Sequence, residues 1–181
     1  MKKVVIVCGL IAGFILCAMM VTSTALCYSN DNFEGNMFLG YAVMLLAFSL
    51  IFVGVKNYRD KYNNRVISFG KAFQIGLYIT LVASTMYVAV WLIEYYLFIP
   101  DFMDRYSAHL LKNVTSKASS QVEINKQVSE IAKYKELYKN PLFVVLLTFA
   151  EILPIGLIVS LICALLLKRK SGKREMISST I

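Results

Sequence analysis

The chain has 181 residues, 58% of them hydrophobic and only 17% charged, whereas a water-soluble domain carries about 25% charged residues. Its formal charge is +8, yet segments 4–27, 37–55, 75–93 and 152–167 contain no Asp, Glu, Lys or Arg. Such blocks exclude disorder, a collagen-like fibre and a nucleic-acid-binding module. They leave an all-α polytopic membrane protein, a single membrane domain in length, whose first partner is the lipid bilayer.

A spanning helix needs roughly 20 mainly apolar residues, because the hydrocarbon core is about 30 Å thick and each residue rises about 1.5 Å. Four stretches qualify, at about 4–27, 37–56, 72–98 and 141–167, with Glu94 interrupting the third and Glu151 the fourth. Backbone in lipid has to satisfy its own hydrogen bonds, and no strand-like alternation is present, so all four are predicted helical. A soluble four-helix bundle fails because the first two stretches lack a polar face. Lys2, Lys3 and the later Ser23-Thr24-Ala25 resemble a signal peptide. The uncharged run from Val4 to Cys27 is longer than the usual signal core of about 7–15 residues. An uncleaved first span is therefore expected, and Leu26 is a poor match for a lipoprotein site at Cys27.

The charges set the orientation. Lys2 and Lys3 precede the first span. Lys56, Arg59, Lys61, Arg65 and Lys71 lie between the second and third, and Lys168, Arg169, Lys170, Lys173 and Arg174 follow the fourth. Four crossings put all three clusters on one side, which the positive-inside rule makes cytoplasmic. Both termini are then expected in the cytoplasm, with a basic tail over 168–181. The 28–36 loop on the other side carries Asp31 and Glu34 but no Lys or Arg.

The connection from about 99 to 140 is the substantial extramembrane part, with seven basic residues against five acidic. Ser120 and Glu123 have capping-box spacing. Beyond them Ile124, Val128, Ile131, Tyr134 or Leu137, and Tyr138 recur at helical steps, predicting a helix over roughly 121–139 that ends before Pro141. Phe102, Tyr106, Leu110 and Val114 predict an earlier helix over about 101–116. The Ser-rich stretch from Thr115 to Ser120 is the break between them. The expected result is an extracytoplasmic helical hairpin. It would lie on the outer leaflet, cap the bundle, or serve as a solvated connector.

Chemistry-bearing residues are sparse. Cys8, Cys17, Cys27 and Cys163 show no metal or redox spacing, and His109 has no helper nearby in sequence, so neither a metal nor a cofactor is expected. Glu151 is the informative residue. A carboxylate inside a span is costly unless protonated, paired or facing water, and by default it marks a functional site. Pro154, three residues on, removes a backbone donor and frees a carbonyl beside it. Glu94, flanked by Tyr95 and Tyr96 near the outer end of its span, reads as an interfacial anchor or as a second member of one outward-facing polar cavity. Such a pair would suit a cation or a proton. Ser160 with Ala164, and Gly9 with Gly13, have small-residue spacing for helix packing. At the cytoplasmic start of the third span, Gly70 and Gly76 would allow close backbone approach, and Lys71 can snorkel to the interface. Gly70-Lys71 lacks the remainder of a phosphate loop. The basic clusters would also attract anionic lipid headgroups.

Several strings together resemble domain-of-unknown-function family 4199. They are Gly40-Tyr41, the run from Leu50 to Lys56, the run from Ile67 to Phe73, the region from Tyr87 to Tyr96, and Pro100-Asp101-Phe102. The run from Glu151 to Leu157, Ser160 and the basic exit Lys168-Arg169-Lys170 complete the set. The resemblance implies a small four-span protein of the inner membrane of Gram-negative bacteria, and it implies no activity, substrate or cofactor.

Three function classes stand at this point. The first is a non-enzymatic structural or accessory component that packs against itself or another membrane protein. The second is a small oligomeric transporter or channel-like protein centred on Glu151. The third is a membrane-embedded lipid-modifying enzyme, disfavoured because no cluster of His, Asp and Glu converges.

Overall fold

The computed structural model of the protein describes residues 1–30, 33, 37–117 and 121–169. Among these described residues six α-helices follow one another: α1 (Lys2–Asn30), α2 (Met37–Tyr62), α3 (Phe69–Ile93), α4 (Phe102–Lys117), α5 (Gln121–Leu137) and α6 (Pro141–Leu167). Ser120, Asp31, Glu34 and the tail beyond Arg169 lie outside the described residues, and the expected capping box falls there with them. Four helices are long and apolar enough to cross a membrane: Lys2–Asn30, Phe38–Tyr62, Phe69–Phe98 and Pro141–Leu167.

The third of these departs from the uniform α-helix expected over 72–98. Its last five residues, Glu94–Phe98, form a π-helical turn closed by the Ile99 N–H donating to the Glu94 carbonyl at 2.9 Å. The wider turn brings the consecutive residues Glu94 and Tyr95 both to the buried side. At the other end Ser68 caps α3, its Oγ accepting the Lys71 N–H at 3.3 Å. Pro141 stops α5 and opens α6, where Asn140 Oδ1 accepts the Leu142 N–H at 3.0 Å. Proline fits there because its missing donor would be orphaned in a first helical turn anyway.

Helices α1, α2, α6 and α3 surround a common core in that cyclic order, with α3 packed most extensively on α6 and α1. Gly9 and Gly13 on α1 meet Val82 and Met86 on α3, so these two run parallel. Gly76 meets Ser160 while Gly156 meets Thr80, so α3 and α6 run antiparallel. Added Cβ atoms show why glycine is needed. At Gly76 one would lie 2.7 Å from Ser160 Oγ, and at Gly156 one would run into the Thr80 methyl. Ser160 is fully buried, donates to the Gly156 carbonyl at 2.7 Å and lies 3.3 Å from Thr80 Oγ1. In an apolar solvent the hydrophobic effect cannot press helices together, so close packing and such hydrogen bonds hold them.

The outer surface is as apolar as the core. Phe14, Phe38, Leu46, Leu97, Phe98 and Leu166 are each at least 64% exposed, an arrangement suited to lipid and unfavourable in water. The protein is a multi-pass membrane protein.

At the end of the bundle that gathers Lys2, Lys56, Arg59 and Lys168, the α2–α3 loop is clamped to the end of α6. Ile67 and Arg169 exchange backbone hydrogen bonds of 3.0 and 2.9 Å, and Arg59 Nη1 donates to the Leu167 carbonyl at 3.4 Å. Asn64 and Arg65 make the turn with positive φ. At the opposite end α4 and α5 form the hairpin, tied by Lys135 and Asp104 at 2.5 Å. No α5 residue is fully buried.

The α3–α6 contact predicts a contrast between glycines. Gly156→Leu overpacks the interface and should lower stability by about 1–3 kcal/mol. Gly70→Ala, whose Cβ would meet nothing within 4 Å, should change it by less than about 0.5 kcal/mol. Thermal unfolding of the detergent-solubilised protein distinguishes the two.

Candidate functional site

Two cavities meet at the hairpin end of the bundle. One, of about 850 Å³, lies between the hairpin and the bundle and is lined from α4, α5, α3 and α6. The other, of about 450 Å³, lies among the ends of α1, α2 and α3. They share Trp91, Phe102, Tyr106 and Glu151, so together they form one vestibule with Glu151 at its junction.

Helix geometry explains the aim of this carboxylate. Positions 144, 148, 152, 156 and 160 form the buried stripe of α6, and Glu151 sits one residue off that stripe, on the exposed flank. Among the described residues Glu151 makes no ion pair and no hydrogen bond. Pro154 lies one turn deeper and is exposed, within an α6 that runs unbroken to Leu167. It removes the donor that the Ala150 carbonyl would otherwise accept, leaving that acceptor beside Glu151.

The vestibule is blind toward the basic end. One turn beneath the lining residues Leu16, Met44 and Tyr87 sit Ala12, Phe48 and Ala83, and Ile152 follows Glu151 on α6. All four of these deeper residues are 0% exposed. They form a packed floor, and below it lies the Thr80–Ser160 layer.

The roof is an aromatic network around Phe102. Its ring meets Trp91 edge-on at 5.3 Å, Phe33 at 6.1 Å and Tyr95 at 6.4 Å, and stacks on Tyr106 at 5.7 Å. Tyr95 continues to Tyr138 at 5.9 Å, and Tyr138 to Phe143 at 6.0 Å. Burial first, and then the Glu151 carboxylate, push the Tyr138 hydroxyl up to about 12. It stays a neutral phenol at ordinary pH. Beside this network a polar clasp joins α1 to the start of α4. Tyr28 donates to Asp101 Oδ1 at 3.0 Å, Arg105 Nε donates to Asp101 Oδ2 at 2.6 Å, and the Arg105 guanidinium lies 5.0 Å over the Tyr28 ring. The Arg105 hydrogen bond, helped by Tyr28, holds the Asp101 carboxyl below its usual range.

The residues singled out in the sequence do not form one site. Glu94 lines a separate, almost wholly apolar groove of about 370 Å³ between α1 and the end of α3. It is 9% exposed, and its Oε2 has no hydrogen-bond partner among the described residues. The two carboxylates therefore line different grooves, which adjoin at Thr24. Ser160 belongs to the α3–α6 packing layer. Lys71 is at the basic end, donating to Gln74 Oε1 at 3.2 Å, and Gln74 in turn donates to the Tyr78 hydroxyl at 3.2 Å. Gly70 meets no neighbour, so the expected close approach occurs at Gly76 and not there. His109 is half-buried beside Asn113 Nδ2 at 3.0 Å. The sequence reading missed Trp91, Tyr138 and Ser107 as vestibule residues. Phe102 and Tyr106 carried a signal in their four-residue spacing, which reported only helical periodicity.

The profile of a family described as "Protein of unknown function (DUF4199)" matches residues 8–169. No curated protein matches the chain, and no solved structure does.

Two outcomes follow from the roof and clasp. Phe102→Ala should cost about 2 kcal/mol and speed amide hydrogen exchange in α4 well before α3. Because Asp101 is lowered in the folded state, its clasp contributes fully above the unfolded carboxyl value of about 3.9 and is lost as pH falls through the folded one. Exchange at the start of α4 should accordingly be protected equally at pH 5 and pH 8 once corrected for intrinsic rates, and lose protection only below about pH 4.

Proposed function

The chain belongs to the DUF4199 family, and from that premise we propose that it is a non-enzymatic component of the bacterial inner membrane that holds a ligand at its periplasmic face. Both termini are cytoplasmic in this reading, supported by the gathering of basic residues at one end of the bundle. That end contacts anionic lipid headgroups through Lys71 and the neighbouring loop cations. The hairpin end faces the periplasm.

One observation carries the ligand-holding role. A carboxylate with no partner among the described residues, Glu151, faces a vestibule that stops on a fully buried floor. A span that keeps a carboxylate without a protein cation gains from a ligand, water or proton that satisfies it. A packed floor suits retention more than passage. A second reading, a small oligomeric transporter, is favoured specifically by Pro154: a proline one turn below the carboxylate is a place where α6 can bend and open that floor.

Native mass spectrometry of protein gently extracted from its own membrane distinguishes these readings. The expected result is a bound small molecule that is lost in Glu151→Gln while the fold is retained. In liposomes, solute and proton flux should stay at background for both proteins. Glu151-dependent flux would overturn the ligand-holding reading in favour of transport, and co-extraction with a different protein in place of a small molecule would replace it with an accessory subunit.

A further inference from the structure

The vestibule carries more information than its depth. Its larger chamber presents Trp91, Phe102, Tyr106 and Tyr138 around Glu151, and no described cation neutralises that carboxylate. Glu130 also lines the chamber, against a single lining lysine, Lys126, so with Glu151 the lining carries more acidic than basic groups and an anionic ligand is disfavoured. Aromatic faces with a carboxylate are the chemistry that recognises organic ammonium groups, through cation–π attraction and a direct ion pair. An independent buried polar atom belongs to the wall of the same space. Ser107 lines the chamber, is 5% exposed, and its Oγ has no hydrogen-bond partner among the described residues. A buried hydroxyl left unsatisfied is costly, and a ligand N–H would satisfy it.

The smaller chamber adds walls from two further helices. Apart from the four shared residues, and beside the polar Ser23 and Thr24, it is lined by Leu16, Met19 and Met20 from α1 and by Leu39, Val43 and Met44 from α2. Those are apolar and methionine-rich walls that adapt to a flexible chain. On the α2 side the lining leads to Leu39 and Phe38, which are 50% and 88% exposed on the apolar outer surface. Two chambers that share a carboxylate, one of them with long apolar side chains on two of its walls, can take an amphiphile.

We propose that the vestibule binds a lipid-like organic cation, its ammonium group held by Glu151 within the ring of Trp91, Phe102, Tyr106 and Tyr138, and its hydrocarbon chain lying between α1 and α2. This rests on the ligand-holding reading above and names the chemical class of the ligand. The ammonium loses water on entry and regains an ion pair and aromatic faces. Ser107 accepts one further hydrogen bond when the nitrogen carries a proton.

Trp91 reports on occupancy directly. It is the chain's single tryptophan and lines both chambers. The experiment titrates the intact protein in zwitterionic-lipid nanodiscs with four probes below their micelle-forming concentrations, following Trp91 emission. The probes are dodecyltrimethylammonium, dodecylammonium, tetramethylammonium and dodecyl sulfate. Saturable responses are expected from the two long-chain cations and from neither of the others. Glu151→Gln should weaken both cations at least tenfold, with unfolding temperature and unliganded Trp91 emission showing that the fold is kept. Ser107→Ala should weaken dodecylammonium about three- to tenfold and leave dodecyltrimethylammonium within twofold.

Equal binding of tetramethylammonium would overturn the chain site and leave a soluble organic cation as the ligand. Equal binding of dodecyl sulfate, or full retention in Glu151→Gln, would overturn recognition of the cation. Absence of any saturable response, with a Glu151-dependent ligand of another class still seen by native mass spectrometry, would sink this proposal while sparing the ligand-holding reading. Glu151-dependent flux would sink both.

Discussion

The close approach of α3 and α6 is the contact on which the remaining geometry depends. In lipid there is no water to expel from between helices, so helix spacing is set by the size of the groups at the contact. Gly76 and Gly156 remove side chains at reciprocal positions, letting Ser160 and Thr80 fill the gaps and meet each other. The same contact fixes the rotation of α6, because its buried stripe repeats every four residues through positions 144 to 160. Once that stripe is fixed, Glu151 can point only toward the flank, and the carboxylate is delivered to the vestibule by packing that occurs a turn or more away from it.

The bundle is accordingly two materials in series. Its basic half is packed to zero exposure by interlocking apolar side chains, at Ala12, Phe48, Ile51, Ile79 and Ile152. Its other half is propped open by large rings, with Phe102 reaching from the hairpin to Trp91 and Tyr95 on the α3 side. Aromatic edge-to-face contacts hold rings at centroid separations of about 4.5–7 Å. They join surfaces that do not interlock, and space remains between them. The π-helical turn at Glu94–Phe98 belongs to this looser half, where it turns Tyr95 inward to the network. Extra turns of this kind recur at functional sites.

Much of the architecture was legible in the chain because lipid imposes a simple rule. Four uncharged blocks give four apolar helices, and Phe102, Tyr106, Ile124 and Ile131 carried the hairpin by their spacing. Pro141 marked a helix junction, and Gly9 with Gly13 marked a packing face. The site was legible only in part. Glu151 stood out as a charge inside a span, since its cost is local. Its neighbours did not, because Trp91, Tyr138 and Ser107 come from three helices distant in sequence. Glu94 read as an interfacial anchor or as a second member of one cavity with Glu151, yet position along a span says nothing about which side of a helix a residue occupies, and the two line different grooves. Gly70 and Gly76 were indistinguishable as letters. Only the arrival of Ser160 from the far end of the chain separates them.

That arrival has a temporal side. The most extensive contact of α3 is with α6, and the stretch from Ile93 to Leu167 takes on the order of ten seconds to synthesise. During that interval a three-span intermediate carries Gly76, Thr80 and Ser84 on a face with no α6 to cover it. The α6 helix then enters as the closing piece, and the Ile67–Arg169 bridge forms only when its final residues have emerged. Synthesis in chain order therefore leaves the α3 seam open until α6 has been made.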